Sequence, residues 1–336
     1  MTEPTTLASW TRALRRQLDS LGLDSTALCH AAGLDIAQLD DPNARYPLAA
    51  TTRLWQLAVA ASGDPALGLG TSRHVAPTTF HALGMAVMAS GSLREVFERI
   101  VRYHQVVSDV LTLELRDIGS TCEFHFRLPP GSPPPAAEAI DAFAAIYVRT
   151  CRNRLGRDYA PLAVYLRRPA PADPQPWLDV FRAPVHFAAP EDMLCFARDD
   201  LDRPLEDGNP ELAAHNEAVL QKRLEALQPD TVARRLRRAL EQCLPNGEPS
   251  AETLAHGLHL SLRSLQRHLA EEGTSYEQVL ADTRHALALQ HLQTQDCSIS
   301  EVAYLLGFAD SSSFSRAFKR WSGQSPSQYR DGLRTN

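Results

Sequence analysis

Residues 298–326, SISEVAYLLGFADSSSFSRAFKRWSGQSP, decide how the C-terminal part of this chain folds. Apolar residues recur at helical spacing before Gly307, and Asp310 stands where the N-terminus of a second helix would be capped. Phe314 and Phe318 follow Asp310 at helical spacing and would pack against the first helix. The pattern predicts a helix-turn-helix unit, whose expected structural core is Ala303, Gly307, Phe308, Phe314 and Phe318.

The same arrangement occurs once more upstream, in residues 251–269. Ser261 takes the capping position, and Leu265 and Leu269 follow it at the spacing of the two phenylalanines. A small Ala255 in the first helix would let the two helices cross closely. Alone, this pattern fits many helical hairpins, but its repetition in the same register indicates two helix-turn-helix units.

Each predicted second helix carries an arginine six residues after its cap, Arg267 in the first unit and Arg316 in the second. The polar residues on the same outward faces are Arg263, Gln266, Ser312 and Ser315. Arginine can bind guanine with two hydrogen bonds, glutamine can bind adenine and serine can bind either, so these faces suit base recognition in the major groove of DNA. An arginine so placed is usually a solvated surface residue, and it is the matched register that favours DNA contact.

A further helix is predicted between the two units, from Tyr276 to Leu292. The residues expected on its inner side are Val279, Leu280, Ala286, Leu287 and Leu289. At 1.5 Å per residue this helix would span roughly 25 Å. Because adjacent major grooves on one face of a duplex repeat about every 34 Å, a rigid spacer of this order suits two recognition helices bound to the same face of double-stranded DNA.

The charge distribution agrees with DNA binding although the chain is acidic overall. The formal net charge is −6, but from residue 229 onward 12 Lys and Arg balance 12 Asp and Glu, so the acidic excess lies upstream. Clustered positive charge is what contact with phosphates requires. The C-terminal clusters are Arg234, Arg235, Arg237 and Arg238; Arg263, Arg267 and His268; and Arg316, Lys319 and Arg320.

Residues 1–205 have the pattern of an α+β domain. Helical periodicity and glycine stops predict helices over 7–21, 25–32, 48–62, 93–107 and 136–155. Alternating apolar residues on both sides of a turn at 117–120 predict a β-hairpin. Two further strands are predicted over 162–166 and 193–197.

Residues 206–229 are predicted to form a linker helix with an apolar face. The five residues expected to share that face are Leu212, Val219, Leu220, Leu224 and Leu227. Such a face docks onto its own domain more often than onto a second copy of the chain, and a homodimer stays open as the alternative. Residues 230–336 are then an all-α DNA-binding domain, and a chain of 336 residues is expected to hold two domains on size alone.

Residues 230–332 resemble the C-terminal region of the AraC/XylS family of transcription regulators. The motifs that carry the resemblance are Ser298-Ile299-Ser300-Glu301-Val302-Ala303, Leu306-Gly307-Phe308, Phe314-Ser315-Arg316-Ala317-Phe318-Lys319-Arg320-Trp321 and Gly323-Gln324-Ser325-Pro326. The resemblance places the DNA-contact faces on Arg263, Gln266 and Arg267 and on Ser311, Ser312, Ser315 and Arg316. The resemblance favours an activator, which would work with RNA polymerase, and repression by promoter occlusion stays open as the alternative because it uses the same DNA contacts. His259 departs from the family pattern, which more often has glycine at this turn.

The first domain is similar, less specifically, to the effector-binding domain of one AraC subgroup. The motifs that carry this similarity are Ala31-Ala32-Gly33-Leu34, Gly63-Asp64-Pro65-Ala66-Leu67-Gly68-Leu69 and Asp202-Arg203-Pro204-Leu205. The similarity implies a small-molecule effector of unknown identity, with no binding residues assigned. Phe80, Phe97, Tyr103, Phe124 and Phe126 could enclose an apolar pocket or form plain core. The alternative is a regulator without an effector, whose first domain dimerises or binds a protein partner.

Other classes of protein are disfavoured. The six cysteines lie far apart without a CxxC motif, and His256 and His259 lack a partner at ligand spacing, so neither a metal nor another cofactor is expected. The N-terminus does not have the pattern of a signal peptide, and no apolar run is long enough for a membrane span, so a cytoplasmic protein is expected. No catalytic spacing links the residues that could act in an enzyme, which are His81, His104, Asp109, Cys122 and His125.

Overall fold

The computed structural model describes residues 3–227, 230–293 and 297–334. The chain divides into two compact units, Met1–Leu227 and Gln228–Asn336. The first unit is an α+β domain and the second is entirely helical over its described residues, which confirms the predicted fold class. No helix among these residues is long and apolar enough to cross a membrane.

The first unit contains ten α-helices within its described residues. They are α1 Ala8–Ser20, α2 Ser25–Ala31, α3 Leu48–Ser62, α4 Leu67–Thr71, α5 His81–Met88, α6 Leu93–Val107, α7 Ala137–Leu155, α8 Gln175–Phe181, α9 Arg198–Asp202 and α10 Pro210–Leu227. The predicted helices over 48–62 and 93–107 are confirmed at both ends. Gly63 ends α3 with φ 66°, a left-handed conformation that glycine adopts without steric cost.

Two sheets complete the first unit over its described residues. Strands β1 Thr5–Leu7 and β2 Arg45–Pro47 pair antiparallel. A five-stranded sheet has the order β3-β4-β7-β5-β6, with β3 Thr112–Ile118, β4 Thr121–Arg127, β5 Ala163–Tyr165, β6 Val185–His186 and β7 Asp192–Ala197. The predicted hairpin is confirmed as β3 and β4, but Asp117 and Ile118 belong to β3, so the turn is shorter than expected. Only β5 and β6 run parallel in this sheet.

One apolar core of the first unit lies between the five-stranded sheet and helices α6 and α7, and a second is built around α1 and α3. Phe97 of α6 is fully buried, with its ring centroid 4.8 Å from that of Phe124 on β4 and 4.9 Å from that of Phe196 on β7. Tyr103 is also buried. Phe97, Tyr103 and Phe124 are therefore core residues, and burial of each large side chain contributes about 1.5–3 kcal/mol.

Helix α10 corresponds to the predicted linker helix, but its five apolar residues do not share one face. Leu220 is fully buried and packs with Leu224 against α5 and α6, and Glu217 of α10 accepts a 2.6 Å hydrogen bond from Arg99 of α6. The other three, Leu212, Val219 and Leu227, are 40%, 37% and 41% exposed. Leu212 and Val219 lie roughly 80–100° around the helix from Leu220, because each residue of an α-helix advances about 100°. Leu227 lies on the side of Leu220, but it is the last residue of the helix. The shared-face prediction was wrong, and α10 is docked within the first unit.

The second unit contains seven α-helices within its described residues. They are α11 Val232–Cys243, α12 Ala251–Gly257, α13 Leu262–Glu271, α14 Tyr276–Gln293, α15 Ile299–Leu305, α16 Ser311–Ser322 and α17 Pro326–Arg334. Two apolar cores organise them, one around α11, α12 and α13 and the other around α15, α16 and α17. Helix α14 contributes Val279 and Leu280 to the first core and Ala288 and Leu292 to the second, so it joins the two halves.

The inner side of α14 differs from the prediction at one position. Ala286 is exposed, whereas Thr283, Arg284 and Ala288 are buried. The buried stripe follows a spacing of four through Leu280, Arg284, Ala288 and Leu292. Because the stripe includes the buried Arg284, apolar spacing alone does not define the inner face of this helix.

Candidate nucleic-acid interface

The first helix-turn-helix unit consists of α12 and α13. Ala255 is almost completely buried where the two helices cross, and Leu265 and Leu269 of α13 are fully buried. The backbone turns at His259, which has φ 58°. Helix α13 then begins after Ser261, whose Oγ accepts a 3.1 Å hydrogen bond from the backbone nitrogen of Ser264.

The second helix-turn-helix unit consists of α15 and α16 and repeats these features. Ser298 and Glu301 form a reciprocal capping box at the start of α15. The turn passes through Gly307 with φ 71°, and Asp310 caps α16 by accepting a 2.7 Å hydrogen bond from the backbone nitrogen of Ser313. Hydrogen bonding to Ser313 lowers the pKa of Asp310, so this cap carries its negative charge near neutral pH.

The two turns share a left-handed backbone but not the same surroundings. A Cβ atom built on Gly307 would lie 3.1 Å from the backbone nitrogen of Glu248. Glycine is thus required at the second turn by both conformation and space. His259 adopts the left-handed conformation although it has a side chain, so the backbone of the first turn is strained. This strain agrees with the family pattern, which more often has glycine at this turn.

The outward faces of α13 and α16 carry the residues predicted to contact DNA. Arg263, Gln266 and Arg267 of α13 are exposed, and the opposite face of the helix is buried. Arg267 Nε lies 3.8 Å from Glu271 Oε1, and both side chains are more than half exposed. Such a surface ion pair is worth at most about 1 kcal/mol, so it leaves Arg267 able to exchange this partner for DNA.

On α16 the predicted residues differ in accessibility. Ser312 and Arg316 are exposed, whereas Ser311 and Ser315 are half-buried. Ser315 donates its hydroxyl hydrogen to the backbone oxygen of Ser311 at 2.8 Å. In this rotamer Ser315 can accept a hydrogen bond from a base but cannot donate one.

Arg284 is a functional residue that the sequence analysis missed. From the middle of α14 its Nε donates to the backbone oxygen of Leu306 at 2.9 Å, and its Nη2 donates to that of Gly307 at 3.0 Å and to Glu248 Oε2 at 2.8 Å. Its guanidinium carbon also lies 4.4 Å from the centre of the Phe308 ring. Arg284 thus caps the C-terminus of α15 and fixes the turn that leads into α16.

The first helix-turn-helix unit has a similar arginine cap, supplied by a different helix. Arg235 of α11 donates from Nη2 to the backbone oxygen of Leu258 at 2.8 Å. Leu258 ends α12 as Leu306 ends α15. The sequence did contain a sign of this role, because Arg284 interrupts a stripe of apolar residues spaced four apart. An arginine is buried in such a stripe only where it has partners for its charge.

A cavity of about 150 Å³ lies in the first unit, between α5, α6, α7 and the β3–β4 hairpin. Phe80 and Phe126, two of the aromatics considered for a pocket, are among its lining residues. His104 also lines it, with Nδ1 2.8 Å from the oxygen of Val101 and Nε2 3.0 Å from that of Leu111. Burial lowers the pKa of His104, so the ring is neutral at pH 7.

The residues considered for catalysis are not joined into one site. Within the described ranges, no hydrogen bond links any two of His81, His104, Asp109, Cys122 and His125. Burial raises the pKa of Cys122 to about 12, which makes its thiol a poor nucleophile. Across the same ranges, no group of three or more His, Cys, Asp and Glu side chains is close enough to hold a metal ion.

The chain has an α+β domain with a cavity, followed by an all-helical domain with two helix-turn-helix motifs. This combination defines a two-domain transcription regulator. Residues 22–205 match the model of the arabinose-binding domain of AraC transcription regulators, and residues 254–332 match a helix-turn-helix domain. The chain belongs to the AraC family of transcription regulators.

Relatives match over nearly the whole chain. The ornithine utilization regulator of Pseudomonas aeruginosa is 33% identical over 327 residues, covering 96% of this chain and 95% of that one. Among solved structures, the transcriptional regulator CdpR of Pseudomonas aeruginosa covers 95% of this chain and 97% of its own, with 23% identity and a TM-score of 0.46. The DNA-binding domain of AdpA, solved with a target DNA, covers 32% of this chain and 95% of its own, with 33% identity and a TM-score of 0.29.

Proposed function

We propose that this chain is a sequence-specific, cytoplasmic transcription activator whose first unit binds a small-molecule effector. The observation that carries the DNA-binding part is the matched geometry of α13 and α16. Each begins at a side-chain cap, buries two large apolar residues and exposes an arginine six residues after the cap. That arrangement places the polar residues near the helix N-terminus, where recognition helices meet base edges.

The proposed DNA contacts follow from the chemistry of each face. Arg267 and Arg316 would bind the O6 and N7 atoms of guanine, and Gln266 would bind adenine. Arg263 would contact a base or a phosphate. Ser311, Ser312 and Ser315 supply short side chains that allow close approach of α16 to the groove.

The proposed operator has two half-sites on one face of the duplex. Helix α14 has 18 residues and contributes to both cores of the second unit, so it acts as a rigid spacer of about 27 Å. Two recognition helices so connected fit major grooves about one helical turn apart. We therefore expect half-sites centred about 10 base pairs apart.

The effector part of the proposal is supported by the cavity of the first unit. Helices α5 and α6 line this cavity and also contact α10, the last helix before the DNA-binding unit. A ligand that shifts these helices would alter how α10 is held. The direction of control proposed is activation through RNA polymerase, and a homodimer would place two copies on the operator. Catalysis is not part of the proposal, and steady turnover of a metabolite would contradict it.

The test begins with selection of bound sequences from a randomised duplex library by the full-length protein. We expect two conserved blocks about 10 base pairs apart, protected together in a footprint. Transcription from a promoter carrying this operator should then rise when protein and RNA polymerase are both present. Failure to enrich any sequence would overturn the DNA-binding proposal, and reduced transcription would replace activation by repression.

The alternative is a regulator without an effector, and a ligand screen separates the two. The Tm of the full-length protein should rise with the concentration of a true effector. A partner-only domain would give no hit among metabolites but would retain a protein partner.

A further inference from the structure

The cavity of the first unit has an apolar body and a cationic end. Helix α7 shows the gradient along its length: Ile140, Phe143 and Tyr147 line the cavity first, and Arg149, Asn153 and Arg154 line it near the C-terminus. The opposite walls are formed by side chains of α5 and α6 such as Leu83 and Ile100. An occupant would therefore meet hydrocarbon on most sides and positive charge at one end.

Arg149 carries a charge that no carboxylate of the described residues balances. Its two terminal nitrogens donate to the backbone oxygens of Ser72 and Val75. Burial lowers its pKa, and within the part of the chain that the structure describes no carboxylate acts on it in the opposite direction. A guanidinium has five N–H donors, so these two bonds leave donors over. Arg154, by contrast, already has a partner in Asp207 at 2.7 Å.

The described lining of the cavity offers donors but no carboxylate. Neither Asp nor Glu is among its residues. Burial raises the pKa of the Tyr147 hydroxyl, which therefore presents a neutral phenol. His104, whose pKa is lowered by burial, adds no negative charge to the lining.

Two further acidic groups line a neighbouring cavity that shares Leu111, Phe126 and Ile140 with the first. Both already have a partner: Asp141 pairs through Oδ2 with Arg168, and Asp192 accepts a 2.7 Å hydrogen bond from the backbone nitrogen of Arg167. A buried ammonium group needs a paired carboxylate or pays a large desolvation cost. Cationic ligands, diamino acids among them, are therefore disfavoured in the cavity.

The size of the cavity limits the occupant further. An apolar cavity of about 150 Å³ in another protein holds benzene. The cavity here has the same volume, about 150 Å³. A single ring or a short alkyl chain with one small polar group fits this space.

We infer that the effector is a small apolar organic anion, a monocarboxylic acid with one ring or a short chain. Its carboxylate lies at the Arg149 end, and its apolar part lies between α5, α6 and α7. This inference rests on the proposed effector function and names the chemistry of that same site. It predicts that affinity depends on the negative charge and not on hydrophobicity alone.

The test compares matched probes on the full-length protein. Thermal unfolding and calorimetric titration are measured with hexanoate against 1-hexanol, benzoate against benzamide, and L-ornithine, with acetate at equal ionic strength as the salt control. We expect both larger anions to raise Tm with concentration and to bind at least tenfold more tightly than their neutral partners. Acetate and L-ornithine should leave Tm unchanged.

Three variants localise the effect. Arg149→Met should remove the preference for the anion. Arg152→Met is the matched control and should keep that preference. Like Arg149, Arg152 donates to backbone oxygens of described residues, but it does not line the cavity. Val87→Phe should fill the cavity and abolish binding. If Arg149→Met does not fold, the comparison of charged and neutral probes on the unaltered protein decides the matter alone.

The possible failures are distinguishable. Equal or tighter binding of the neutral probes or of L-ornithine overturns the inferred charge while the effector function stands. Loss of anion preference in Arg152→Met, with retention in Arg149→Met, overturns the placement of the carboxylate. Absence of any hit among anionic, neutral and cationic metabolites overturns the effector function itself.

Discussion

His259 and Gly307 occupy the same left-handed position in the two helix-turn-helix turns, with φ 58° and 71°. A side chain in this conformation costs roughly 1–2 kcal/mol. At Gly307 a Cβ atom would in addition approach the backbone nitrogen of Glu248 to 3.1 Å, so the same substitution should have different effects at the two turns.

We predict that Gly307→Ala lowers the free energy of unfolding of the second unit by about 2 kcal/mol, from the conformational cost and the added crowding. His259→Gly should cause no loss beyond about 1 kcal/mol, because relief of strain offsets the entropy of the added glycine. Urea denaturation of both variants measures the difference. An equal loss in the two variants would show that the turns are not distinguished by backbone conformation.

At the same scale, Arg267→Ala and Arg316→Ala should each weaken operator binding by about 1–3 kcal/mol and relax selectivity at one base pair. The reason is loss of two hydrogen bonds to a guanine edge. Binding to single-base operator variants gives the measurement. Arg203→Ala, which removes an exposed positive charge from the first unit, serves as the control and should bind like the unaltered protein. Unchanged affinity and selectivity in both test variants would move the recognition faces elsewhere.

Among the elements, α14 is the one on which both halves of the second unit depend. Arg284 connects its middle to the end of α15 through hydrogen bonds to the backbone oxygens of Leu306 and Gly307, and a third hydrogen bond joins it to Glu248. Its removal would leave the C-terminus of α15 without this cap.

We expect Arg284→Ala to destabilise the second unit by about 2–4 kcal/mol, since hydrogen bonds from a charged donor are worth about 1.5–3 kcal/mol each and do not add fully. Arg237→Ala, at an exposed position of α11, should stay within about 0.5 kcal/mol. Calorimetric unfolding of the full-length protein tests the pair. A small effect at Arg284 would mean that α15 is held by its apolar contacts alone.

Helix α10 offers a matched pair of leucines for a second test at this scale. Leu220 is fully buried against α5 and α6, and Leu212 is 40% exposed on the same helix. Leu220→Ala should cost about 2–5 kcal/mol of stability in the first unit, because it leaves a cavity, and Leu212→Ala less than about 1 kcal/mol. Denaturant titration distinguishes them. Similar costs would indicate that Leu212 is also covered in solution.

For the whole molecule, the net charge does not indicate whether the chain can bind DNA. The formal net charge is −6, yet helices α11, α13 and α16 of the DNA-binding unit carry exposed clusters of basic side chains. Operator affinity should therefore fall steeply with salt concentration, with a logarithmic slope of about −0.9 for each phosphate contacted. Arg320→Ala should make that slope shallower by about 1 and weaken all sequences alike. A flat salt dependence would exclude phosphate contact as a main source of affinity.

Local sequence alone determined the features that depend on a few neighbouring residues. Caps such as Ser261 and Asp310, the glycine stop at Gly63 and the periodicity of 93–107 were readable because their hydrogen bonds and apolar spacing lie within one or two turns. The repeat of the helix-turn-helix pattern was equally readable. It carried the family resemblance and the class of protein.

Tertiary structure alone decided which face of a helix is covered. Val219 and Leu220 are adjacent and both apolar, and only the packing of α5 and α6 selects Leu220. Arg284 is buried because the end of α15 supplies oxygens from residues distant in the chain. The short strands β1 and β2, and the cavity with its unbalanced Arg149, arise in the same way. Their partners are brought together by folding, and no local pattern records them.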